Sequence, residues 1–147
     1  HYGQVTTGQG TWTITRGSAQ LTLAPIAPDN LGAALETYRP NYIHPTRDLT
    51  PKQDPDISLI ELKSPPATEM TFLVPLLIAQ AGSQPPTVES VAAENVDAVR
   101  VGEVVVSFRR GAGRMLAPTP WGEGLATDAR AVVARVVAGQ RQVISLP

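Results

Sequence analysis

The side chains that could carry out a reaction are few. His1 and His44 are the chain's two imidazoles, and with no cysteine a transition-metal site would need both of them, or one with carboxylates. His1 stands at a terminus and His44 precedes Pro45 in a polar stretch, with no His-x-Glu or HExxH spacing around either. Both read as exposed side chains, and no metal or other cofactor is expected. Asp48, Asp54 and Asp56 share one stretch, with Glu61 just beyond it. Two acids across a cleft would suit glycoside hydrolysis, but aspartates in a loop more often cap turns. The EF-hand spacing and its loop glycine are missing. No G-x-S-x-G elbow is present, and no serine, histidine and aspartate are singled out as a triad.

Residues suited to binding are more prominent. Arg109-Arg110-Gly111-Ala112-Gly113-Arg114 is the most basic stretch. Guanidinium forks beside a glycine turn can hold phosphate, sulfate or carboxylate. The lysine and hydroxyl residue that end a P-loop are absent, and the plainer reading is a hairpin turn with solvated arginines. Trp12, Trp121, Tyr38 and Tyr42 offer flat apolar faces to a sugar ring. Trp12 alternates with Ile14 and belongs in a core, whereas Trp121, between Pro120 and Gly122, reads as exposed. Tyr38-Arg39-Pro40-Asn41-Tyr42 pairs two aromatics with a cation, as a ligand loop or a loop packed on a sheet would.

Short strands must position these groups. Thr11–Arg16 and Ala19–Leu23 alternate apolar and polar residues around Gly17-Ser18, the pattern of a hairpin. Asp29–Tyr38 fits either a capped helix or a strand. Residues 40–55 form a long loop punctuated by Pro40, Pro45, Pro51 and Pro55. Ile57–Lys63 reads as a strand, and Thr68–Gln80 as a strand buried on both faces with Pro75 at an edge or bulge. Thr87–Ala93, Val96–Val101, Val104–Arg109 and Arg114–Ala117 follow as further strands. Thr127–Gly139 fits a helix by its cap and stop, but its four valines favour a strand turning at Gly139-Gln140 into Gln142–Leu146.

Composition narrows the classes. The chain has 147 residues, fourteen of them proline and twelve glycine, which argues against a helical bundle. Its net charge of −1 lacks the basic excess of a nucleic-acid binder. The longest apolar run, Met70 to Ala79, is about half of what spanning a bilayer requires. The expected fold is an all-β antiparallel β-sandwich with short turns and one long proline-rich loop, as a single domain over residues 1–147. The start at His1 rather than Met suggests a piece of a larger protein.

The order of these features resembles the C-terminal β-rich region of heparinase II/III-like polysaccharide lyases. TWTITRGSAQLTLAPIAP (Thr11 to Pro28) is similar to that family's strand pair and its break at proline. YRPNY (Tyr38 to Tyr42) is similar to the tyrosine-proline segment that follows, and MTFLVPLL (Met70 to Leu77) to its buried strand. VDAVRVGEVVVSFRR (Val96 to Arg110) and ATDARAVVARVVAGQRQVISL (Ala126 to Leu146) resemble its closing strands. The resemblance implies a parent enzyme with an N-terminal α/α-toroid that cleaves acidic polysaccharide by β-elimination, in the periplasm or outside the cell. The toroid and the family's threonine-histidine-asparagine segment are not in this sequence, so no catalytic residue carries over. The expected role is a non-catalytic domain that supports the toroid, with Trp121, Tyr38, Tyr42, Arg39, Arg109, Arg110 and Arg114 as the residues available to an acidic glycan. The alternative is a stand-alone carbohydrate-binding, structural or adhesive β-domain.

Overall fold

A computed structural model describes residues 3–8, 10–38 and 57–147. Their regular structure is strand throughout, and every strand pairing is antiparallel. The fold is all-β. The chain divides into two compact units, His1–Ser83 and Gln84–Pro147.

The first unit holds β1 (Gln4–Gly8), β2 (Thr11–Arg16), β3 (Ala19–Leu23), β4 (Gly32–Tyr38), β5 (Ile57–Lys63) and β6 (Leu76–Gln80). β1, β2, β3 and β6 form one sheet in that order, and β4 pairs with β5 as a separate ribbon. The alternating pattern places β2 and β3 as expected, with Gly17 at φ +58 in the turn between them. Asp29–Tyr38 resolves as a turn at Asp29-Asn30 and a strand from Gly32: Gly32 and Thr37 are weak helix formers, and Ile57–Lys63 supplies a full ladder of partners from Gly32↔Lys63 to Tyr38↔Ile57. Between them, the proline-rich segment 39–56 lies outside the described residues.

Thr68–Gln80 departs from the expectation. Only Leu76–Gln80 is strand, and before it Leu73 forms a single bridge to Ala27. Pro75 has no N–H for a ladder, though its carbonyl accepts a hydrogen bond from the Ala24 N–H at 3.1 Å. The strand is also not buried on both faces, because β6 lies at a sheet edge and Ile78 is 85% exposed. Register places Val5, Ile14, Leu21 and Ile78 in one row and Trp12, Leu23 and Leu76 in the next, on the same face. The opposite face carries the buried Thr22 and Gln20. Thr22 shares a hydrogen bond with Thr13 at 3.1 Å. The Gln20 amide donates to the Ser83 carbonyl at 2.9 Å and accepts from the Gly82 N–H at 3.2 Å, fixing the turn that follows β6.

The second unit holds β7 (Val88–Ala93), β8 (Val96–Val101), β9 (Val104–Arg109), β10 (Met115–Ala117), β11 (Leu125–Thr127), β12 (Ala131–Val137) and β13 (Gln140–Leu146). A five-stranded sheet runs β13-β12-β9-β8-β7, and β10 pairs with β11 in a short ribbon. Met115 and Ala117 of the ribbon pack with Val96, Ala98, Val105, Ala129 and Val132, so the unit is a small two-layer sandwich with a core of short aliphatic side chains. Thr127–Gly139 resolves as strand from Ala131, its valines satisfied by ladders to β9 and β13. The turn to β13 is Ala138-Gly139, both at positive φ (50° and 76°), the backbone a two-residue hairpin loop requires.

The Gly111–Gly113 segment is not the turn of a hairpin. β9 lies between β8 and β12, whereas β10 pairs with β11, so the glycines carry the chain from one layer to the other.

Candidate functional site

The arginine stretch sits at that crossing, and its members divide by what they touch. On β9, Arg109 faces the layer of the sheet that also holds Ser107 and Val105, since alternate residues share a face. Its Nη1 donates to the Gly113 carbonyl and, at 2.6 Å, to the Asp128 carbonyl, while its own N–H donates to the Arg130 carbonyl at 2.9 Å. Arg110 donates its N–H to the Asn95 carbonyl at 2.8 Å and Nη2 to the Val96 carbonyl at 3.1 Å. Its Nε lies 3.3 Å from Asp97 Oδ1. Both guanidinium groups therefore brace the β9–β10 crossing. Both are held by protein groups, and the Arg110 side chain is also solvated, at 57% exposed.

Arg114 differs. It is exposed and makes no hydrogen bond or ion pair with any described residue. It lines a concavity of about 500 Å³ with Glu94, Asn95, Leu116, Pro118 and Gly124. One wall is the β7–β8 turn, where Asn95 takes a φ of 56°, a conformation that asparagine tolerates better than most residues. The other wall is the ribbon and the 118–124 connection. Leu116 lies directly over Gly124, where a Cβ would stand 2.6 Å from the leucine Cγ. The connection closes on itself: the buried Thr119 donates its hydroxyl to the Glu123 carbonyl, and the Gly122 N–H donates to the Thr119 carbonyl at 3.2 Å. The cleft thus combines one unpaired cation, a carboxylate, a primary amide and apolar walls. Such a set can grip an anionic group through the guanidinium fork while the walls meet an apolar ring face.

Trp121 stands on the same connection, half-buried. The Arg141 guanidinium covers its ring at 5.2 Å from the centroid, and Arg141 lies 3.4 Å from Glu123 Oε2. One aromatic face is therefore already occupied by a cation. Tyr38 is paired through its backbone with Ile57 at the end of β4; its side chain, Arg39 and Tyr42 lie outside the described residues. His1, His44, Asp48, Asp54 and Asp56 lie there too. Glu61 pairs with Lys63 at 2.8 Å. Among the described residues no group of three histidine or acidic side chains is placed to hold a metal. No helix among them is long and apolar enough to cross a membrane.

Sequence reading passed over Glu94, Asn95, Leu116 and Gly124. Glu94-Asn95 is the turn between β7 and β8, and nothing in the local sequence shows that it faces the ribbon. No protein-family profile matches the chain, and neither the curated proteins nor the solved structures include a match to it.

Proposed function

We propose that this chain is a non-catalytic β-sandwich module of a heparinase II/III-like polysaccharide lyase. It supports an α/α-toroid catalytic domain in the periplasm or outside the cell and contacts the acidic polysaccharide through Arg114. The observation that carries this reading is the unpaired Arg114 on a concave wall, while Arg109 and Arg110 are tied to protein groups. A carboxylate or sulfate on a sugar would meet the guanidinium, and Leu116 and Pro118 would meet the ring. The exposed Leu76 and Ile78 add apolar surface suited to a neighbouring domain. A stand-alone lectin reading centred on Trp121 is weaker, because Arg141 already covers one face of the ring and the residue is half-buried.

Affinity electrophoresis through gels carrying heparan sulfate or alginate, with a neutral glucan as control, tests the proposal. The acidic glycans should retard the chain, and Arg114→Gln should weaken that retardation by about tenfold or more, the effect of losing one charged hydrogen bond. Equal retardation on the neutral glucan, or none lost in the variant, refutes the glycan contact. Release of unsaturated sugar by the chain alone refutes the non-catalytic role.

A further inference from the structure

The outer edge of the five-stranded sheet carries an inference independent of the glycan reading. We propose that β13 is a pairing edge, along which a second copy of this chain adds antiparallel about Val143. β13 is the last strand in the order β13-β12-β9-β8-β7, so among the described residues one of its sides has no neighbouring strand. Its register with β12 is unbroken from Val137↔Gln140 to Ala131↔Leu146. A two-residue turn makes Val137 and Gln140 a hydrogen-bonded pair, and alternation then points the N–H and C=O groups of Arg141, Val143 and Ser145 outward.

Natural edges are usually guarded by lysine, proline, a bulge or a charge turned into the pairing zone. The stretch Gln140-Arg141-Gln142-Val143-Ile144-Ser145-Leu146 has no proline, lysine or acid, and its register shows no bulge. Its one charge, Arg141, is engaged with Trp121 and Glu123. Val143, Ile144 and Leu146 are 43%, 47% and 53% exposed, respectively. The opposite edge, β7, carries Glu89 and shows no exposed large apolar side chain.

A second copy fits because the strand is complementary to itself. A two-fold axis at Val143 sets Val143 against Val143, Arg141 against Ser145, Gln142 against Ile144 and Gln140 against Leu146. No charge meets a like charge, and each outward-facing pair can exchange both backbone hydrogen bonds. The result is one continuous sheet of twice the strands.

Sedimentation equilibrium of the full chain tests the proposal, because the register assigns opposite signs to two changes at one exposed site. Ser145→Lys places a cation opposite Arg141 of the other copy and should weaken dimerisation about tenfold. Ser145→Glu should strengthen it by a similar factor. Val143→Pro removes an N–H that β12 does not use and should leave a monomer, with circular dichroism reporting that the strands persist. A wild-type chain that stays monomeric to millimolar concentration overturns the proposal. So do Ser145 variants that shift the equilibrium in the same direction, and so does a folded Val143→Pro that still dimerises.

Discussion

The four-stranded sheet of the first unit and the five-stranded sheet of the second have the same kind of alternating strands but treat their faces in opposite ways. In the second unit the buried layer is mainly aliphatic: Val96, Ala98, Val105 and Val132 close against Met115 and Ala117 of the ribbon, with Ser107 the polar exception on β9. In the first, the polar row goes inward. Gln20 is only 7% exposed and Thr22 less still, while Leu76 and Ile78 of the apolar row stand in solvent. Stability in the second unit therefore rests on packing, where each buried valine contributes on the order of 2 kcal/mol. In the first unit, buried hydrogen bonds carry a larger share, since each buried polar group must keep its partner. The lesson is that period-2 alternation marks a strand with two unlike faces without saying which of them will be covered.

This contrast can be broken most sharply by truncation. Val132→Ala should lower stability by about 2 kcal/mol, through lost burial and a residual cavity. Ile78→Ala should cost less than about 0.5 kcal/mol, as exposed sites usually do. Urea melts of both variants measure the difference; equal losses would mean that the apolar row of the first sheet is covered in solution. The polar side of the contrast is sharpened by Gln20→Ala, which leaves the Gly82 N–H and Ser83 carbonyl without their partner. A loss of about 1.5 kcal/mol is expected in the same melts. A neutral result would show that water replaces the amide.

The smallest expected effect is on pH. The Glu61 carboxylate, hydrogen-bonded to the Lys63 ammonium at 2.8 Å, raises the lysine pKa above its ordinary value of 10.5. A raised folded-state pKa contributes stability in full below the unfolded value and loses it as pH climbs through the folded one. Thermal melts of the wild type in alkaline buffers should therefore fall a little more steeply than those of Lys63→Met. Both side chains are substantially exposed, so the difference is small.

Much of this architecture was legible in the residues. Thr11–Leu23 declared a hairpin because its alternation and its glycine turn agree. The valines of 132–137 outweighed a helix-like cap and stop because ladders on both sides reward stiff branched side chains. Gln4–Gly8 and Leu125–Thr127 escaped notice: one is mostly polar and the other is three residues long, so neither shows a period. The Gly111–Gly113 turn was visible, but a turn signal is local and does not name the partner of the strand that follows. The candidate site was obscured for a related reason. Arg109, Arg110 and Arg114 are equivalent as residues, and only the crossing between layers ties two of them to carbonyls and leaves the third free.

That crossing also governs how the second unit can be assembled. β7, β8 and β9 are joined in sequence by two tight turns, and β12 and β13 by a third, so each group needs only short-range closure. Bringing β9 beside β12 is different, because residues 110–130 must first be drawn into a loop whose ends meet. Closing such a loop carries a larger entropy penalty than any of the three tight turns, one that grows only slowly with further length. Arg109 sits where those ends meet. Its N–H reaches Arg130, and its guanidinium holds Gly113 on the outgoing strand side and Asp128 on the returning one. The residue that looked like a ligand contact is the clasp of the longest closure in the sheet.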